Sequence, residues 1–147
     1  MMDWKKIAVE DLRNYNYLEQ AIVSLPLQIS ALEEEFLATK GTLGQPEPVS
    51  GGQQKKAEER LLSNICRRQR LEHNLQAVKR LLANINDGLA VLTEAEKLVL
   101  ECFFINRTED YLERLHVALD YELAQIYRIK DAALRKFTMA MYGVLEL

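Results

Sequence analysis

Ile126-Tyr127-Arg128-Ile129-Lys130-Asp131-Ala132-Ala133-Leu134-Arg135-Lys136-Phe137 is the stretch that decides the fold. Ile126, Ile129, Ala133, Phe137 and then Ala140 recur at three- and four-residue steps, the stripe of a helix with one buried face. Arg128, Lys130, Arg135 and Lys136 lie between them, so the helix carries cations along it. Upstream, Tyr111, Leu112, Leu115, His116 and Leu119 make a shorter amphipathic helix. Asp120 falls in the tight turn between the two, where aspartate tolerates left-handed backbone better than most residues. Further upstream, Leu98 to Ile105 is apolar on most sides, as expected for the buried centre of a small bundle. Three short helices, with a tight turn before the last and longest, have the layout of a helix-turn-helix. The second helix of that motif enters the DNA major groove.

Capping residues set the limits of these helices. Thr93-Glu94-Ala95-Glu96 has capping-box form, with Thr93 as N-cap and Glu96 at the third helical position. The helix it opens is expected to reach about Ile105. Asn106-Arg107-Thr108 reads as a turn, with Thr108 as the next N-cap. The last helix starts near Tyr121 or Glu122 and ends at Gly143.

The first half of the chain has a different pattern. Tyr15, Leu18, Ile22, Leu25, Ile29, Leu32 and Phe36 alternate steps of three and four, which is a coiled-coil seam. Pro26 interrupts it, removes one backbone hydrogen bond and is expected to kink the helix. Lys40-Gly41 reads as the stop. Residues 41–52 hold four Gly and two Pro and read as a flexible loop, with Gly51-Gly52 as linker. A second long helix is expected from about Gln53 to about Asn86. Its stripe is Leu71, Leu75, Val78, Leu82 and Ile85, continued less cleanly upstream by Leu61, Ile65 and Arg68. Asp87-Gly88 reads as the break, with Gly88 in the left-handed position that ends a helix. The expected organisation is therefore an all-α chain: a long antiparallel helical hairpin over 1–88, then a three-helix helix-turn-helix domain over 89–147. A hairpin of this length covers only one face of each helix, so a partner surface is expected, either the C-terminal domain or a second copy of the chain in a two-fold homodimer.

Composition narrows the function classes. The 147 residues are 48% hydrophobic and 28% charged, with a formal net charge of −3, so overall charge does not advertise a nucleic-acid binder. No stretch is apolar enough for a membrane span, and no signal-peptide core opens the chain; a cytoplasmic location is expected. Cys66 and Cys102 sit inside predicted helices and read as reduced thiols. His73 and His116 are far apart in sequence, no Cys or His pair has metal-ligand spacing, and Glu33-Glu34-Glu35 reads as a solvated helix face. Neither an enzyme nor a cofactor or metal site is expected. Charge is uneven. Residues 1–52 hold 4 basic and 8 acidic groups, residues 53–86 hold 8 and 3, and residues 87–147 hold 7 and 11. The acidic first segment is expected to pair with the basic second one; the alternative is that the middle segment touches phosphate.

On the last helix, Gln125 can pair with adenine and Arg128 with guanine or phosphate. Tyr127 can reach a phosphate or pack on one, and Lys130, Arg135 and Lys136 suit backbone contacts. Glu122 and Asp131 oppose phosphate. The alternative use of this surface is contact with another protein.

Leu92-Thr93-Glu94-Ala95-Glu96-Lys97-Leu98-Val99-Leu100, the short helix after it and Ile126 to Phe137 resemble region 4 of sigma-70-type factors. The chain is more similar still to a family of phage and prophage transcriptional regulators of Gram-positive bacteria that carry this module. That resemblance extends to Asp3-Trp4, to Asp11 through Ala21, to Pro48 through Gly52 and to Phe137 through Gly143. It implies a DNA-binding regulator of phage transcription acting near RNA polymerase, with Glu122 to about Phe137 as recognition helix. This chain has Leu123 and Ala124 where such modules usually carry polar or basic groups, and Leu119-Asp120-Tyr121 where they often have Gly in the turn. The first departure weakens direct base readout.

Overall fold

The computed structural model describes residues 1–43 and 51–147. The chain is all-α, and its described residues form six α-helices: α1 (Trp4–Arg13), α2 (Tyr15–Leu43), α3 (Gly51–Ala90), α4 (Glu94–Leu100), α5 (Tyr111–Leu119) and α6 (Leu123–Tyr142). α4 runs on into a π-helical turn, Glu101–Ile105, which carries it to the expected end at Ile105. Among the described residues no helix is long and apolar enough to cross a membrane.

α2 and α3 form the hairpin, and both outrun the limits that glycine suggests. α2 is one helix through Pro26 and passes Gly41 to end at Leu43. α3 already starts at Gly51, so the loop expected over 41–52 loses both its ends to helix; the rest of it, 44–50, lies outside the described residues. A glycine costs a helix only about 1 kcal/mol, which the long apolar seam overrides. α3 also runs straight through Asp87-Gly88 to Ala90, so no helix break exists there. Gly88 serves close approach instead. A Cβ on it would lie 2.9 Å from Phe137 Cε2 and 3.1 Å from Met141 Cγ. Only a bare backbone lets α3 come this near α6.

The chain packs as two units. One comprises Met1–Glu19 with Arg80–Leu147, the other Gln20–Lys79. In the first unit, Ala8, Leu12, Ile85, Leu92, Leu100, Ala133, Leu134 and Phe137 form one core, so α1, the end of α3, α4 and α6 meet there. Val99, Cys102, Phe103, Leu115 and Ile126 form a second, between α4, its π-helical turn, α5 and the start of α6. Ala140 is exposed rather than part of the inward stripe; Leu134 and Thr138 are buried in its place. Beyond Phe137 the helix is covered from a different side, because α1 lies against it: Trp4 stacks on Tyr142, with ring centroids 5.1 Å apart. The Tyr142 hydroxyl donates to Asp11, and burial with this bond pushes its pKa up. α1 is a helix of its own, opened by Asp3, whose carboxylate accepts from the Lys6 amide at 3.1 Å. Tyr15 donates to Asn86 at 2.8 Å, and Asn16 donates to the Ile105 carbonyl at 3.2 Å and to Asn106 at 2.9 Å.

In the second unit Leu25, Leu32 and Leu75 are buried, while Ile22, Ile29, Phe36, Leu71 and Val78 are half-buried. Asn64 also lies in this seam, buried, and donates to the Leu32 carbonyl at 2.8 Å. Arg68 donates to Asn64 at 2.9 Å and lies over the Phe36 ring, 4.8 Å from its centroid. Among the described residues the acidic-to-basic match between the segments does not become ion pairing. Among the described residues the ion pairs are Lys97–Glu94, Lys130–Asp131 and Lys136–Glu96, and none joins α2 to α3. The reason is placement: of the three consecutive glutamates only Glu35 lines the groove that holds Arg60 and Arg67.

Candidate nucleic-acid interface

The helix-turn-helix candidate is α5, its turn and α6. Thr93 caps α4 through a complete capping box: its hydroxyl accepts from the Glu96 amide at 3.2 Å, and Glu96 accepts from the Thr93 amide at 3.1 Å. α5 opens at Asp110, not at Thr108. Thr108 instead donates its hydroxyl to Asp110 at 2.7 Å, and its carbonyl accepts from the Tyr111 amide at 3.3 Å. The hydroxyl oxygen accepts from the Arg114 guanidinium at 3.5 Å rather than from a helix amide. α5 ends at Asp120, which has φ 57° and ψ 39°, the left-handed backbone expected of it. The His116 ring closes the turn, with Nδ1 2.7 Å from the Tyr121 carbonyl. A carbonyl only accepts, so Nδ1 carries the hydrogen and His116 is a brace for the turn.

α6 then starts at Leu123 with Glu122 extended before it and no side chain capping its first amides. Ile126 is fully buried under α5 and the π-helical turn, which fixes the rotation of the helix. The face left in solvent carries Ala124, Gln125, Arg128, Asp131, Ala132 and Arg135. Gln125, Arg128 and Arg135 thus share one open face, and among the described residues neither guanidinium is ion-paired. The other three candidate residues are engaged. Tyr127 packs edge-on against Phe103 at 5.7 Å while staying 41% exposed. Lys130 bonds Asp131 at 2.8 Å and lies over the Phe103 and Tyr127 rings. That bond offsets the charge with which Asp131 opposes a phosphate.

Lys136 is held by Glu96, at 2.9 Å and 3.1 Å from its two oxygens. Glu96 is buried, which by itself raises its pKa. The Lys136 ammonium and the Thr93 bonds outweigh burial and hold the carboxyl below its ordinary value. The same carboxylate therefore caps α4 and anchors the middle of α6. The sequence carries half of this signal, since a capping-box glutamate has a second oxygen to satisfy. Which cation satisfies it, 40 residues away, needs the fold. Cys102 is buried, and burial pushes its thiol up; Cys66 is exposed and free. Comparison of the chain with protein-family models, curated proteins and solved structures finds no match.

Proposed function

We propose that this chain binds duplex DNA through α6 and regulates transcription in a phage or prophage, as its resemblance to region-4 modules implies. The observation that carries the reading is the joint exposure of Gln125, Arg128 and Arg135 on one face of α6, beyond a left-handed turn braced by His116. A carboxamide and two guanidiniums along a groove-sized helix supply base-edge and phosphate contacts together. Ala124 and Leu123 make no side-chain hydrogen bonds, so sequence preference is modest. Self-association belongs to the same proposal: Val23, Leu27 and Leu37 stay exposed on α2, and a two-fold dimer would present two half-site readers. The test is selection from random duplexes at physiological salt, followed by titration of Arg128→Ala, with mass by light scattering at each step. Enrichment of a site whose preference relaxes at one base pair, at a cost of about 1–3 kcal/mol, supports the reading. No enrichment at all sinks it.

A second reading has its own observation. Val117 and Leu123 are exposed, and Leu112, Glu113, His116, Glu122 and Leu123 line an apolar hollow beside the turn. That surface suits a protein partner such as RNA polymerase. Leu123→Asp with intact DNA binding but lost polymerase contact would separate the two.

A further inference from the structure

The middle of α3 carries cations with no counterpart in the site above. Lys56, Arg60, Arg67 and Arg70, with Ser63 and Asn74, fall within an arc of about 80° at 3.6 residues per turn. All six are exposed. The stripe flanks the hairpin seam, and its four cations, from Lys56 to Arg70, extend about 21 Å at a rise of 1.5 Å per residue. Arg60, Arg67 and Arg70 have no carboxylate three or four residues away on α3, and Lys56 has only Glu59. They are therefore not arranged for the intrahelical pairs that ordinarily neutralise a surface helix. Among the described residues none of the four is ion-paired. Glu35 lines the same groove as Arg60 and Arg67, and among the described residues it is ion-paired to neither. Arg68 shows the contrast on the same helix: it turns inward to Asn64 and Phe36 and is satisfied there.

We propose that this stripe is a second nucleic-acid contact, one that binds the phosphate backbone of duplex DNA without reading bases. Charge complementarity and residue type both favour that ligand. Three of the four cations are arginine, whose planar fork matches two phosphate oxygens at once. A length of about 21 Å corresponds to the rise of about six base pairs, at 3.4 Å per pair. Ser63 among the cations and Asn74 one turn beyond Arg70 add neutral donors of the kind that also bond phosphate. The inference rests on the DNA reading of the chain only for its choice of ligand, because the stripe belongs to the unit of Gln20–Lys79 and α6 to the other.

The experiment uses the full chain and a random-sequence duplex of 30 base pairs, with binding measured across a salt series. The variants are Lys56→Gln/Arg60→Gln/Arg67→Gln/Arg70→Gln, the same positions all as Lys, and Arg128→Ala/Arg135→Ala. All the changed residues are exposed, and helicity and melting verify that each variant is folded. Each phosphate contact contributes about 0.9 to the salt slope, so the glutamine variant should lose about 2–4 units of slope and bind on the order of 100-fold more weakly. The lysine variant should keep most of the slope. A glutamine variant with the parent's slope and affinity overturns the proposal, even if Arg128→Ala/Arg135→Ala abolishes binding and so upholds α6. Loss in the glutamine variant with no effect of the α6 substitutions upholds the stripe and removes the α6 reading. Poly-glutamate is the control for an acidic protein partner. If it competes with the duplex as strongly as unlabelled DNA of equal charge, the stripe belongs to such a partner and the proposal falls.

Discussion

Leu12, Ile85, Leu100 and Phe137, in the unit of residues 1–19 and 80–147, have no exposed surface, while the best-covered leucines of the hairpin arms, Leu25, Leu32 and Leu75, keep 7–9%. The difference comes from how many helices surround each side chain. Phe137 sits where α1, α3, α4 and α6 converge, whereas Leu75 has one opposing helix in its unit. Two helices can interlock a seam but cannot enclose it, so hairpin stability depends more on what else covers the seam. Polar groups behave accordingly. Asn64 sits in the hairpin seam, buried, bonded to a carbonyl of the opposite helix, where it fixes register as a buried asparagine does in a coiled coil.

The comparison breaks most readily at its deepest point. Phe137→Ala should cost about 3–5 kcal/mol by urea or thermal unfolding. A loss below about 1 kcal/mol, well under that range, would mean the four helices do not close around the ring. Leu75→Ala should cost about 2 kcal/mol, the low end for a buried leucine, with half-buried Ile29→Ala smaller. A Leu75 effect equal to that of Phe137, rising with protein concentration, would show that a second copy completes the hairpin.

Glycines sharpen the contrast. Gly88→Ala gains helix propensity of about 1 kcal/mol, but its methyl meets a fully buried ring, and overpacking costs about 1–3 kcal/mol. The net should be a loss of about 1 kcal/mol. Gly41→Ala meets nothing within 4 Å and should stabilise by up to about 1 kcal/mol. Equal effects at the two sites would contradict the close approach of α3 to Phe137.

The smallest effect is electrostatic. The Glu96 carboxyl is held below the ordinary value of a glutamate side chain by the Lys136 ammonium and the Thr93 hydrogen bonds. Its stabilisation is therefore fully present above that value and is lost as pH falls through the lower, folded one. Glu96→Gln should cost about 1 kcal/mol at neutral pH, and the gap between parent and variant should close on acidification. A gap independent of pH would show that the pair with Lys136 adds nothing.

Much of this was legible in the sequence because the signals are local. The Thr93–Glu96 box, the left-handed Asp120, the Gly143 stop and the apolar seams each depend on residues within one or two turns. Where the structure alters or adds to the reading, the partner is mostly distant; the Thr108 cap, displaced by Asp110, is the local exception. Gly88 looks like a helix end until Phe137 is placed against it. Lys136 looks like a free cation until Glu96 reaches it. Ala140 continues the inward period, but α1 arrives from another side and moves the buried face to Leu134 and Thr138. α1 itself was the quietest element. Trp4, Ala8, Leu12 and Tyr15 do recur at helical spacing behind Asp3, yet ten residues give little pattern. For the candidate interface, sequence alone proposes six side chains and cannot say that Gln125, Arg128 and Arg135 are open while Tyr127, Lys130 and Lys136 are engaged.

The seat of α1 against α6 has a consequence for how the protein is made. Leu12 is synthesised 125 residues before Phe137, yet both belong to one core. At roughly 5–20 residues per second, translation separates them by about 6–25 s. During that interval α1 has left the ribosome with its apolar stripe uncovered, because the helix it packs on does not yet exist. This unit therefore cannot close until α6 has emerged, and α1 must be kept from wrong partners until then.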